Sequence, residues 1–112
     1  MTKNESPQPN VTLSEFQTLI RNMYLEKDQT RGVPATFMWL MEEVGELSRV
    51  FSRKFGEQSY KKDKEEGGLG DEMADVLFVL VCLANQTGVD LEEVMKRNFD
   101  KILCAGSIEF VK

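Results

Sequence analysis

The sequence predicts an all-α domain of four helices, and three observations carry that expectation. Apolar residues recur at three- and four-residue intervals in four separate segments. Two of those segments open on capping-box pairs, Thr12 with Glu15 and Asp90 with Glu93. Glycine-bearing polar stretches around Gly32, from Gly56 to Gly68 and at Gly88 separate them.

Residues 1–10 hold Pro7 and Pro9 without apolar periodicity and read as a flexible lead-in. The helical domain is expected over 11–105, with 106–112 as a C-terminal tail whose Ile108, Phe110 and Val111 either pack on a partner or fray. The first helix carries Leu13, Phe16, Ile20 and Met23 on one face, and Lys27 to Val33 reads as a loop. Pro34 suits the first turn of the second helix, where its missing amide hydrogen costs nothing. That helix should run to about Phe55, with Phe37, Leu40, Met41, Val44, Leu47, Phe51 and Phe55 as its main apolar stripe. Gly56 to Gly68 is a charged connection, and a third helix begins near Leu69. From Val76 to Ala84 this helix is apolar on nearly all sides, which suits the middle of a bundle or a subunit interface. The fourth helix carries Leu91, Val94, Met95, Phe99 and Ile102.

Composition narrows the function. A chain of 112 residues fits one domain with no separate cofactor-binding domain, and so small a core makes oligomerisation expected. Nineteen acidic against fourteen basic residues give a net charge of -5, which argues against a broad nucleic-acid footprint. Lys61, Lys62 and Lys64 are interleaved with or followed by Asp63, Glu65 and Glu66 and read as a solvated loop. Cys82 and Cys104 lack zinc or redox spacing and read as structural thiols in a reducing compartment. With no signal-like N-terminus, and no apolar stretch longer than Val76 to Ala84, the expectation is a soluble cytoplasmic protein. Histidine is absent, which removes the usual general base and zinc ligand.

Chemistry must then rest on carboxylates, lysines or a hard metal. At about 100° per residue, Trp39, Glu43, Glu46 and Val50 share a strip beside the second helix's apolar stripe, and Glu72 and Asp75 share a face with Val76, Val79 and Leu83. Solvated acids normally lie opposite the core. Two acidic pairs that open two apolar faces would converge if the helices pack side by side, and their mutual repulsion calls for a cation. Oxygen ligands without His or Cys point to Mg²⁺, with Mn²⁺ as a possible substitute, and such a cage suits a polyphosphate and a metal-activated water.

Glu42-Glu43-Val44-Gly45-Glu46, followed by Glu72-Met73-Ala74-Asp75, resembles the E-E-x-x-E, spacer, E-x-x-D signature of MazG-like nucleotide pyrophosphohydrolases. The resemblance extends from the first helix to the fourth. It implies an all-α, four-helix bundle assembled as a homodimer or homotetramer, cleaving nucleoside triphosphates, canonical or not, to monophosphate and pyrophosphate, as in nucleotide-pool cleaning. By motif position it implies Glu43, Glu46, Glu72 and Asp75 as metal ligands and Glu42 as a residue that supports the site or orients water; the sequence leaves the general base open among the carboxylates, with Glu46 favoured. It also implies Asn98 and Lys101, with Lys96 behind them, near substrate phosphates or sugar; Asn98 otherwise reads as a hydrogen-bonded interface residue. Trp39 is placed either to stack on a base or to pack in the core, and Arg49 and Arg53 read as surface residues. Phosphoribosyl-ATP and dUTP pyrophosphohydrolases of the same superfamily stay open, as does a non-catalytic oligomerisation module with an acidic cation site.

Overall fold

Thr12 Oγ1 accepts the amide of Glu15 at 3.0 Å while Glu15 Oε1 accepts the amide of Thr12 at 2.9 Å, so the first capping box starts α1, Leu13–Arg31. A computed structural model describes residues 10–56 and 68–108, and the other helices are α2, Val33–Phe55, α3, Leu69–Thr87, and α4, Leu91–Ile108. No strand occurs among the described residues. The expected lead-in lies outside them but for residue 10, and so do all but the ends of the 56–68 connection and residues 109–112 of the tail.

The stretch expected as a loop from Lys27 to Val33 is helical through Arg31 and broken at Gly32 alone. The polar residues there suggested solvent, but Asp28 is buried and its carbonyl accepts Gln86 Nε2 of α3 at 2.6 Å, so the last turn of α1 is fixed by tertiary contact rather than by apolar periodicity. Gly32, at φ +96, makes the corner between α1 and α2. Gly88, at φ +75, ends α3 in the left-handed region, with its amide bonded to the Ala84 carbonyl. Asp90 Oδ1 then accepts the Glu93 amide at 3.1 Å and starts α4. α4 continues to Ile108, past the expected boundary at 105.

α3 packs along both α2 and α1, whereas α4 packs mainly against α1 and leaves α3 at 103°. Leu40 and Val50 of α2 are buried with Val79, Val81, Cys82 and Ala84 of α3, each large aliphatic contributing about 1.5–3 kcal/mol. Tyr24 meets Phe78 edge-on at 5.3 Å and joins α1 to this core.

The inward faces differ from those expected. α2 presents Thr36, Trp39, Leu40, Glu43, Leu47 and Val50 to its neighbours, while Phe37, Met41, Val44, Phe51 and Phe55 of the expected main stripe are exposed. On α3, Met73, Leu77 and Leu80 are exposed, and on α4 so are Met95, Phe99 and Ile102. Among the described residues the helices thus have two apolar-bearing sides, of which one is covered and the other exposed. Among the described residues, no single helix is long and apolar enough to cross a membrane.

Candidate metal centre

α2 and α3 lie side by side, and their contact brings the two acidic pairs to one seam. One carboxylate oxygen from each of Glu43, Glu72 and Asp75 lies within 4.8 Å of the others, with Glu43 and Glu72 half-buried and Asp75 exposed. The turn between Glu72 and Asp75 puts both on the same side of α3, and Glu43 projects toward them from the buried strip of α2. A hard divalent cation fits this donor set, because three carboxylates and no nitrogen or sulfur converge at separations one ion can bridge.

Glu72 feels the congestion. Its carboxyl is pushed up from the ordinary value by partial desolvation, then by the charges of Asp75, Glu46 and Glu43, with Arg49 pulling it back. Glu46 is therefore electrostatically part of the cluster although it is not one of the three converging acids. It forms an ion pair with Arg49 on the next turn, and both side chains are half exposed. Glu42 is exposed on the neighbouring side of α2. Arg53, expected at the surface, is half-buried.

Trp39 does something sequence reasoning missed. Its Nε1–H donates to Glu43 Oε2 at 3.2 Å, its ring meets Phe78 edge-on at 6.0 Å, and the Arg31 guanidinium carbon stands 4.7 Å from its centroid. It thus packs against the core and at the same time holds a member of the acidic cluster. Asp28, Arg31 and Phe78, absent from the sequence-derived candidates, complete this wall. The spacing of Asp28 and Arg31, one helical turn apart, was the available signal.

Asn98 and Lys101 are not brought to the carboxylates within one chain. Half-buried Asn98 donates to the Val94 carbonyl of its own helix at 2.8 Å, Lys101 is exposed, and Lys96 lies 3.6 Å from Glu92. Because α4 packs mainly on α1 while the acids lie between α2 and α3, these side chains sit apart from the cluster.

Comparison with known proteins gives a consistent result. The model of the MazG nucleotide pyrophosphohydrolase domain matches residues 31–103, which include Glu42, Glu43, Glu46, Glu72 and Asp75. Two uncharacterized Bacillus subtilis proteins are similar: YvdC is 40% identical over 99 residues, covering 80% of this chain and 92% of its own length, and YpjD is 44% identical over 62 residues, covering 55% and 56%. Rat dCTP pyrophosphatase 1 is 34% identical over 101 residues, covering 85% of this chain. This chain spans 58% of that enzyme's length, as it spans little more than half of YpjD in sequence. The crystal structure of YpjD superposes with a TM-score of 0.71 at 32% identity, covering 84% of this chain and 97% of that one.

Proposed function

Because this chain belongs to the MazG nucleotide pyrophosphohydrolase family, we propose that it is a magnesium-dependent enzyme converting (d)NTP to (d)NMP and pyrophosphate. The observation that carries this reading is the convergence of Glu43, Glu72 and Asp75 at the α2–α3 seam. Glu46, one turn from Glu43, completes the set of four acids, since its charge acts with those of Asp75 and Glu43 to push the Glu72 carboxyl up.

In the proposed reaction a water oxygen forms a bond to the α phosphorus as the bond from that phosphorus to the α,β-bridging oxygen breaks, and pyrophosphate leaves. A Mg²⁺ ion in the acidic cluster would offset phosphate charge and acidify water. Glu43, Glu72 and Asp75 would hold it, and Glu46 would take the proton of the attacking water after exchanging its contact with Arg49. Glu42, exposed on the adjacent side of α2, would support the site or orient the attacking water. Substrate recognition falls to Trp39 on one side and to Asn98 and Lys101 on the other.

Since α4 of the same chain keeps Asn98 and Lys101 away from the acids, we propose that a second copy supplies them. The exposed apolar sides of α2, α3 and α4 support a homodimer or homotetramer, since so much uncovered Phe, Leu and Met is unusual in a monomer.

The test is product analysis after incubating the full chain with NTPs and dNTPs, in Mg²⁺ and in EDTA. The similarity to rat dCTP pyrophosphatase 1 makes dCTP the first nucleotide to try. Magnesium-dependent release of monophosphate and pyrophosphate supports the proposal. Release of orthophosphate instead would overturn the α,β cleavage, and silence across the panel would shift weight to phosphoribosyl-ATP, then to a non-catalytic module.

A further inference from the structure

At the corner between α1 and α2, two polar side chains are withdrawn from water: Asp28 is 1% exposed and Thr36 is fully buried. Arg31 ties them together, since its Nη1 donates to Asp28 Oδ1 at 2.7 Å and to Thr36 Oγ1 at 3.2 Å. Its guanidinium carbon lies 4.7 Å from the Trp39 ring centroid, and Trp39 Nε1–H reaches Glu43 Oε2 at 3.2 Å. An unbroken line of contacts therefore runs from a buried acid on α1 to a member of the carboxylate cluster.

We propose that Arg31 is a positioning residue for the metal cage: it sets the plane of Trp39, and Trp39 holds one oxygen of Glu43 so that the other is presented to the cation. The inference rests on the reading that these acids bind a divalent metal. Its physical basis is torsional. The terminal torsion of a Glu is broad and roughly two-fold, as is that of an indole on its Cβ, so neither group orients itself. The indole N–H removes the Glu43 freedom, while Phe78 at the indole's edge and Arg31 against its ring remove that of Trp39. The guanidinium plane is in turn fixed by two acceptors on different helices.

A purely structural role accounts for this less well. Burying a carboxylate is costly even when it is paired, and apolar residues of similar volume commonly pack such a corner as well or better. The charge makes sense where a planar cation must be held at a defined angle. Groups behind a metal ligand typically govern about 10- to 100-fold in metal affinity.

Trp39 is the sole tryptophan of the chain, so its emission reports on the relay directly. The experiment titrates the full-length protein with Mg²⁺ alone, without nucleotide, and follows Trp39 fluorescence for the wild type, Arg31→Met and Arg31→Lys. Trp39→Phe, which keeps an aromatic body but loses the N–H, is followed by the rise in Tm with Mg²⁺. Arg31→Lys retains the charge beside Asp28 without the flat guanidinium, and it decides the matter if Arg31→Met does not fold. A saturable emission change is expected in the wild type. Its midpoint should move up several-fold in Arg31→Lys and about 10- to 100-fold in Arg31→Met, with a matching loss in Trp39→Phe. Variants that melt earlier but bind Mg²⁺ with the wild-type midpoint would reduce the relay to a structural corner and overturn the inference. A wild type that shows neither an emission change nor a Tm shift with Mg²⁺ would overturn the metal reading and the relay with it.

Discussion

Gln17 and Asn85 grip each other twice across α1 and α3: Gln17 Nε2 donates to Asn85 Oδ1 at 3.0 Å, and Asn85 Nδ2 returns a bond to the Gln17 carbonyl at 3.2 Å. Gln17 also donates to the Val89 carbonyl and accepts the Leu91 amide at 3.0 Å, so one side chain fastens α1, α3 and the start of α4. Gln17→Ala leaves a half-buried amide and carbonyl to water, and an expected loss of about 1–2 kcal/mol follows. Urea unfolding measures it, and a loss within error of zero would mean that solvent replaces these bonds without cost.

Removing one acid of the cluster should separate function from stability. Glu72→Gln, Glu43→Gln and Asp75→Asn are each expected to lower turnover by about 100-fold or more, since a lost metal contribution of several kcal/mol is worth tenfold per 1.4 kcal/mol. In EDTA the same variants should melt at or above the wild-type temperature, because the repulsion that raises Glu72 is relieved. Thermal melts with and without chelator check this, and metal-free variants that unfold would show that the acids are structural.

Metal removal should lower the stability of the wild type. A cation that binds only the folded chain adds about 2.7 kcal/mol at a hundredfold excess over its Kd. The Tm is therefore expected to climb with Mg²⁺ concentration and to return to baseline with EDTA. A flat response across the millimolar range would argue against a resident ion.

Cys82 gives stability an alkaline edge. Burial, a hydrogen bond to Asp28 and that residue's charge push the thiol up to about 12 from an ordinary value of 9.0, with Arg31 opposing. The folded chain keeps this proton where the unfolded chain loses it. The contribution is thus complete below pH 9 and is lost as pH rises from 9 toward 12. Cys82→Ala should show a shallower fall in stability over that window, measured by urea unfolding at several pH values. Equal slopes would mean the thiol is not shielded.

Self-association should depend on the exposed apolar sides. Phe51→Glu and Leu77→Glu place charges on side chains about half exposed in the single chain, so they should leave the monomer folded. Sedimentation is expected to show an oligomer for the wild type and a shift toward monomer for the variants. A wild type that is monomeric at all concentrations would remove a second copy as the source of Asn98 and Lys101.

The four helices and three of the four acids at the seam were legible because periodicity and angular position are local properties. Glu43, Glu72 and Asp75 converge as their strips predicted. Glu46 shares the strip but leans one turn further, to Arg49, and a choice between two nearby partners is made by side-chain geometry that spacing does not encode. The inward face of α2 was misjudged for a different reason. Phe37, Val44 and Phe51 are as apolar as any core row, and sequence alone cannot distinguish a side that meets its own chain from one that the single chain leaves exposed. The last turn of α1 was lost because Asp28 looks solvated until the packing of α3 is seen to bury it and Gln86 to bond its carbonyl.

The 103° departure of α4 from α3 at Gly88 divides the labour of the molecule. The seam between α2 and α3 holds charge at fixed separations, and nothing in α4 is needed to build it. On the proposed reading α4 is a reader, mounted on α1 and addressed to a neighbour's chemistry. On that same reading, substitutions along it would retune which nucleotide is accepted while the acidic seam stays intact, and each chain's selectivity would be a property of the assembly rather than of the polypeptide that carries the acids.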